Sequence, residues 1–279
     1  MKLTSITLDG FKGIKDKATL PIAPITLLFG ANSTGKSTIL HGLLYLFEVL
    51  AHHNVDPEYS ELTGKKLWLG GFRNLVFGKS LSHSITMGAS LDFTDDNNPL
   101  DDYLTEAEHR LIEQSLQCYP ESPVDRWSFQ LTIAYSTQDD CPYIQQFDCF
   151  ANGEHFCRFE KKSGSPSPEI TYFSMIDNWS VPEEINDLND FLITEQWQPL
   201  GLEKQPHALP DFNQRLNFSY APIPWENISA DHPVAIRTYC EASLSQATLA
   251  PLKQLSKRLK QILHIGPLRV IPDQHLRPD

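Results

Sequence analysis

No run of about 18 consecutive apolar residues occurs in the sequence, so no membrane-spanning helix is expected. The N-terminus, MKLTSITLDGFKG, has no continuous apolar segment of the kind a secretory leader needs, and the expected location is the cytoplasm. Cysteine is sparse: Cys118, Cys141, Cys149, Cys157 and Cys240 make an odd number without a CxxC pair. A disulfide framework and a zinc knuckle are both disfavoured on that ground. None of the histidines stands in HxxxH or HExxH spacing, so a metal site built only from protein ligands is not indicated. Basic residues are outnumbered, 23 against 35 acidic ones, for a net charge of −12. That argues against a general polyanion-binding surface and leaves room for a local basic groove. There is no internal repeat and no low-complexity tract.

What remains has the composition of a soluble globular protein, with 41% hydrophobic and 21% charged residues. The 279 residues suffice for one large domain or two smaller ones. Residues 3–9 alternate apolar and polar side chains as a half-buried strand does, and residues 17–22 suit its antiparallel partner. Residues 24–29 (PITLLF) form an almost wholly apolar run, expected as a central buried strand. Residues 36–51 follow with Ile39, Leu40, Leu43, Leu44, Phe47 and Leu50 at helical spacing, which predicts a deeply packed helix. Residues 52–80 read as irregular. Strands are expected at 84–93, 127–135 and 169–173, and a helix at 103–117. Residues 143–150 and 154–160 flank Asn152-Gly153, a strong hairpin signal. The polar, proline-rich stretch 174–234 reads as an insertion with short helices. A helix is expected within 235–263, with Leu249, Leu252, Leu255, Leu259, Ile262 and Leu263 on one face. Lys253, Lys257, Arg258 and Lys260 lie on another face, which is either a solvated surface or a nucleic-acid contact. A strand interrupted by Gly-Pro is expected at 263–271.

The chemistry lies between the apolar run and the first helix. Gly30-Ala-Asn-Ser-Thr-Gly-Lys-Ser37 matches GxxxxGK[ST] without a departure. The glycines let the backbone curl so that successive N–H groups face one anion, and the helix that follows adds its positive end. Gly30, Asn32, Ser33, Thr34 and Gly35 are the cradle. Lys36 is placed to reach the β- and γ-phosphates as a point charge. Ser37 offers a hydroxyl to Mg²⁺, which prefers oxygen ligands, and Thr38 is expected near the α-phosphate with a free helical N–H. The motif therefore implies a nucleoside triphosphate, ATP in the first place, with Mg²⁺. The competing reading, a glycine-rich turn beside a surface lysine, leaves the apolar strand–loop–helix context unexplained.

The N-terminal strand, Gly10-Phe11-Lys12-Gly13-Ile14, the second strand and then GANSTGKST together resemble the start of the SMC-like and OLD-type ATPases of the ABC superfamily. Many of these are AAA-type proteins of bacterial anti-phage defence. Leu69-Gly70-Gly71-Phe72-Arg73-Asn74-Leu75-Val76 and Ile265-Gly266-Pro267-Leu268-Arg269 are similar to shorter segments of the same group. The resemblance implies an α/β fold. It would be a P-loop NTPase head of the ABC/SMC-like kind, with a mixed sheet around the P-loop strand, an antiparallel β subdomain and an inserted helical or irregular region. It makes Lys12 a candidate nucleotide contact, against the plainer reading of an exposed turn lysine, and gives Arg269 a core or interface role. It divides the chain into an N-terminal lobe at 1–173, an insertion at 174–234 and a return to the core at 235–279.

The resemblance also implies a homodimer or higher oligomer formed through the heads, an effector protein as partner, and sensing or regulation in defence. The alternatives are DNA repair by an SMC-like head, a nucleotide-binding scaffold without turnover, and a small-molecule kinase of another P-loop class. The sequence departs from the family in having no signature serine-glycine motif, no apolar strand ending in Asp-Glu and no switch histidine. The catalytic base is thus unassigned. Hydrolysis is expected only where a C-terminal half or a partner supplies those motifs, and the first of these is the expectation.

Overall fold

The computed structural model describes residues 1–30, 35–62, 65–95, 100–117, 124–174, 200–220 and 233–261. Its organising element is a nine-stranded sheet. In chain order the strands are β1 (Lys2–Asp9), β2 (Ala18–Pro21), β5 (Ile85–Asp92), β6 (Arg126–Ser136), β7 (Cys141–Ala151), β8 (Glu154–Glu160), β9 (Glu169–Phe173), β10 (Leu200–Leu202) and β11 (Phe218–Tyr220). A separate hairpin pairs β3 (Tyr59–Leu62) with β4 (Lys65–Trp68). Across the large sheet the order is β11-β10-β9-β8-β7-β6-β5-β1-β2. Every pairing described is antiparallel. Among the described residues the α-helices are α1 (Lys36–His52), α2 (Gly71–Leu75), α3 (Glu106–Leu116), α4 (Pro233–Thr248) and α5 (Ala250–Leu259).

The alternation in the sequence sorts the sheet into two faces. Ile6, Leu8, Met87, Ala89, Phe129, Leu131, Phe147 and Phe159 are buried and share one core with α1 and α5. The other face carries hydroxyl pairs between neighbouring strands, Ser5–Ser90 at 3.0 Å, Thr7–Thr19 at 3.1 Å and Thr86–Thr132 at 3.3 Å. An antiparallel sheet with one apolar and one polar face needs helices on one side only. Asn152 and Gly153 form a two-residue turn between β7 and β8 with φ of +51° and +95°. A type I′ turn, with positive φ at both central residues, matches the twist of the strands it joins, and Asn-Gly tolerates both.

Two expectations change. Residues 24–29 are not a strand of the sheet. The chain leaves β2 through a turn in which the Ala23 N–H donates to Thr26 Oγ1 at 3.0 Å, and 26–30 make no ladder. Ile25, Leu27 and Phe29 are 81%, 69% and 86% exposed. The run is apolar enough for a central strand, but among the described residues no strand pairs with it, so the sheet is antiparallel rather than mixed about a P-loop strand. Likewise α1 is buried only from Gly42 onward; Leu40, nearer the P-loop, is 47% exposed. Smaller differences follow local chemistry. The region 52–80, read as irregular, holds the β3–β4 hairpin and α2. The segment 200–220, where short helices were expected, contributes β10 and β11 to the sheet. The single helix expected in 235–263 is two, because Pro251 in the first turn of α5 cannot continue α4. The expected strand at 263–271, including Arg269, lies outside the described residues.

The helices are tied down by charge as well as packing. Buried Glu241 of α4 receives Arg237 Nε at 2.9 Å and the Phe218 N–H at 3.2 Å, with Arg215 Nε at 3.6 Å. Arg215 also meets Glu108 of α3 at 2.8 Å. Ser256 of α5 donates to the Leu50 carbonyl of α1 at 3.2 Å.

The seat of α1 on the sheet is a glycine. A Cβ at Gly42 would lie 2.6 and 2.9 Å from the two methyl carbons of Leu8. A larger residue there forces α1 away from β1. Gly42→Val is expected to destabilise the fold by about 1–3 kcal/mol, the usual cost of overpacking. Urea unfolding measures it, and an unchanged midpoint would show that α1 is not seated this closely.

Candidate functional site

The site begins where α1 begins. Gly35 occupies its N-cap with φ +91° and ψ 4°, in the left-handed region. Nothing lies within 4 Å of where a Cβ would stand, so the backbone conformation, not space, calls for glycine here. Gly35 has no side chain to cap this helix end, and the first turn contains no acidic residue. The first N–H groups of a helix have no intrahelical acceptor and carry the positive end of its dipole. An uncapped, acid-free N-terminus after a glycine loop is therefore suited to an anion.

Lys36 Nζ donates to the Gly30 carbonyl at 2.7 Å, so the last lysine of the motif reaches back to its first glycine. That contact joins the two described ends of the motif. Ser37 is exposed and Thr38 half-buried in the same turn. The arrangement fits a triphosphate, with Lys36 and the N–H groups of the first turn as donors and Ser37 as the hydroxyl for Mg²⁺. Asn32, Ser33 and Thr34 lie outside the described residues. Among the described residues no group of three or more His, Cys, Asp and Glu side chains could hold a metal by itself.

Beside α1 sits the turn Gly10–Ile14. Phe11 N–H donates to the Ile14 carbonyl at 2.9 Å, and Ile14 N–H returns to Phe11 at 2.8 Å. The turn is clasped by the end of α2. Lys12 N–H donates to the Leu75 carbonyl at 2.6 Å, and Phe77 N–H donates to the Gly10 carbonyl at 2.7 Å, which brackets a bridge between Phe11 and Val76. Phe11 is fully buried and stacks on Tyr45 of α1 with ring centroids 6.1 Å apart. The two short segments that carry the family resemblance, 10–14 and 69–76, are thus one structural unit bonded together against α1. Asp56 supports it by accepting the Phe72 N–H at 2.5 Å.

Lys12 has φ +50° and is half-buried. Its Nζ lies 2.7 Å from Nδ1 of His41 on α1. Burial lowers the pKa of Lys12, and burial followed by the Lys12 charge lowers that of His41. The lysine is therefore not an exposed turn residue. His41 was not singled out by sequence reasoning, although it lies four residues after Ser37 and so on the same helical face.

Other charged groups along α1 and α5 have structural partners. Glu48 is buried, accepting from Ser60 Oγ at 2.5 Å and meeting His52 Nδ1 at 2.9 Å, which pins the β3–β4 hairpin to α1. It is twelve residues from Lys36, about 18 Å along the helix, and takes no part in the loop. On the basic face of α5, Lys253 pairs with Asp101 at 2.7 Å and lies over the Tyr103 ring at 5.2 Å, and Lys257 is 3.9 Å from the same carboxylate. Half of that positive patch is engaged within the protein.

Alanine at position 35 must either hold the left-handed conformation or move the start of α1. Gly35→Ala is expected to cost about 1–2 kcal/mol, the penalty for a side chain in that region. Urea unfolding reads it, and a midpoint equal to that of the unmodified chain would mean the loop has another backbone path available.

No helix among the described residues is long and apolar enough to cross a membrane. Among curated proteins, none matches the sequence. A family model of the AAA ATPase domain does match, over residues 1–197. The match runs from β1 through the P-loop, the Gly10–Ile14 turn with its clasp, and β5 to β9. It also covers the stretch beyond residue 90 in which the sequence by itself carried little resemblance. With more than two thirds of its length inside that model, the chain belongs to the AAA ATPase domain family of ATP-binding proteins.

Proposed function

We propose that this chain is an SMC-like ATPase head that binds ATP with Mg²⁺ at the P-loop and associates with a second head when ATP is bound. The observation that supports this most is Lys36 reaching back to Gly30 at the uncapped start of α1, within an AAA ATPase domain. In this reading Lys36 and the first N–H groups of α1 hold the phosphates. Asn32, Ser33 and Thr34 complete the cradle, Ser37 takes Mg²⁺, Thr38 lies by the α-phosphate, and Lys12 approaches from the Gly10–Ile14 turn. Bound ATP then biases a two-state association of heads.

The sequence holds no Walker B acid, so no residue of this chain is assigned as the catalytic base. A strand carrying that acid would pair beside residues 24–29 and bring them into a sheet, with Ile25, Leu27 and Phe29 on one face against which an apolar layer would pack. Regulation of an effector in anti-phage defence follows from the family resemblance alone. Action at DNA ends is the alternative of the same class, and would reveal itself as salt-sensitive DNA binding. The absent acid favours a second reading, a nucleotide-binding scaffold without turnover.

A fluorescent ATP analogue with Mg²⁺, titrated against the chain and its Lys36→Ala variant, tests the proposal. Micromolar binding lost in the variant is the expected result. Equal binding by both would remove Lys36 from the site. Phosphate release by the unmodified chain separates a head that turns over from a scaffold.

A further inference from the structure

We propose that His41 is a positioning residue for Lys12, holding its ammonium on the Ser37 face of α1 until a phosphate oxygen takes it over. The inference rests on the reading of the P-loop as the nucleotide site and adds a residue that the motif does not contain.

The geometry is specific. Ser37 and His41 stand one turn apart on a single face, and helical side chains tilt toward the N-terminus. His41 therefore leans toward the turn that carries Ser37, and the 2.7 Å contact brings the Lys12 ammonium to that face. The Lys12 backbone is fixed by its own N–H bond to Leu75 and by buried Phe11 beside it. Only the flexible four-carbon stem is left to move.

The chemistry of the partner matters as much as its position. Among the described residues no carboxylate is recorded on either Lys12 or His41, and burial weighs on both. A half-buried ammonium that rests on a neutral ring nitrogen has a hydrogen-bond acceptor without a counter-charge. A phosphate oxygen offers both, and a charge-assisted bond of that kind is about twice as strong as a neutral one. A carboxylate at position 41 would compete with phosphate for Lys12; an imidazole yields it. His41 thus keeps Lys12 oriented at little cost to its release.

The test is a double-mutant cycle on the affinity for the Mg²⁺ complex of a fluorescent ATP analogue, with melting curves to show that each variant is folded. Lys12→Met is expected to weaken binding roughly tenfold, as loss of a hydrogen bond to a charged group does. His41→Leu is expected to weaken it severalfold, and the double variant no further than Lys12→Met alone, because both act through one contact. His41→Asn, which keeps an acceptor near the place of Nδ1, should bind within about twofold of the unmodified chain by the same logic. Unchanged affinity in Lys12→Met or in His41→Leu, or additive losses, would overturn the inference.

The ¹⁵N resonance of His41 Nδ1 reads the contact directly. It should change in Lys12→Met and again when the nucleotide complex is added to the unmodified chain, and a resonance indifferent to Lys12→Met also overturns the inference. Lys36→Ala separates the two levels. Binding lost there while His41→Leu binds normally defeats the role of His41 alone. Binding retained in Lys36→Ala defeats the nucleotide reading and with it the inference.

Discussion

The close approach of Gly42 to Leu8 is the contact on which the geometry of the loop depends. It lets the Leu8 side chain of β1 pack directly on the backbone of α1, and the described start of the helix after the loop takes its position from that seat. Farther along, Tyr45 stacks on Phe11 and donates to the Val55 carbonyl at 2.7 Å, and Glu48 engages Ser60. The buried half of α1 is bonded to the sheet, to the Gly10–Ile14 turn and to the hairpin together. The exposed half carries Lys36, Ser37 and Thr38. A helix anchored at one end fixes the direction of the other, so the free N–H groups of its first turn share one orientation.

The Gly10–Ile14 turn shows how the family match acquires physical content. Gly10-Phe11-Lys12-Gly13-Ile14 and Leu69–Val76 are far apart in sequence and look like two unrelated short matches. The hydrogen bonds from Lys12 to Leu75 and from Phe77 to Gly10 make them two sides of one clasp. Each segment keeps the other in place, and both keep Lys12 beside α1. A substitution in either would reach the P-loop through Phe11 and Tyr45, although neither segment belongs to the nucleotide motif.

What the sequence could say depended on how local each cause was. The Asn152-Gly153 turn was legible because its φ requirements are met by those two residues alone. The P-loop motif is local in the same way, since its glycine spacing, lysine and hydroxyl fall within eight residues; of these, Asn32, Ser33 and Thr34 lie outside the described residues, and the site they form is a proposal. The strands of the meander followed from alternation. Residues 24–29 were misread because an apolar run reports a preference for burial and not the presence of a partner to supply it. The β3–β4 hairpin was missed because four-residue strands are too short for their period to stand out. The break between α4 and α5 was hidden by leucines that keep helical spacing through Leu249 and Leu252, although Pro251 marked it. The Lys12–His41 contact joins residues 29 positions apart, and no periodicity connects a turn to a helix face.

The misreading of 24–29 bears on function more than the correct assignments do. Ile25, Leu27 and Phe29 alternate along a segment that ends at the P-loop, and Leu40 stands exposed on the helix that leaves it. Apolar side chains this size favour burial by about 1.5–3 kcal/mol each, so water is a poor neighbour for a surface that contains several. Isolated exposed apolar residues are ordinary on a protein surface; their concentration on both sides of the P-loop motif is not. The loop is bounded on one side by a well-anchored core and on the other by a surface suited to pairing. A strand laid beside 24–29 would fix the path of the chain into Gly30 just as Gly42 fixes its path out of Gly35.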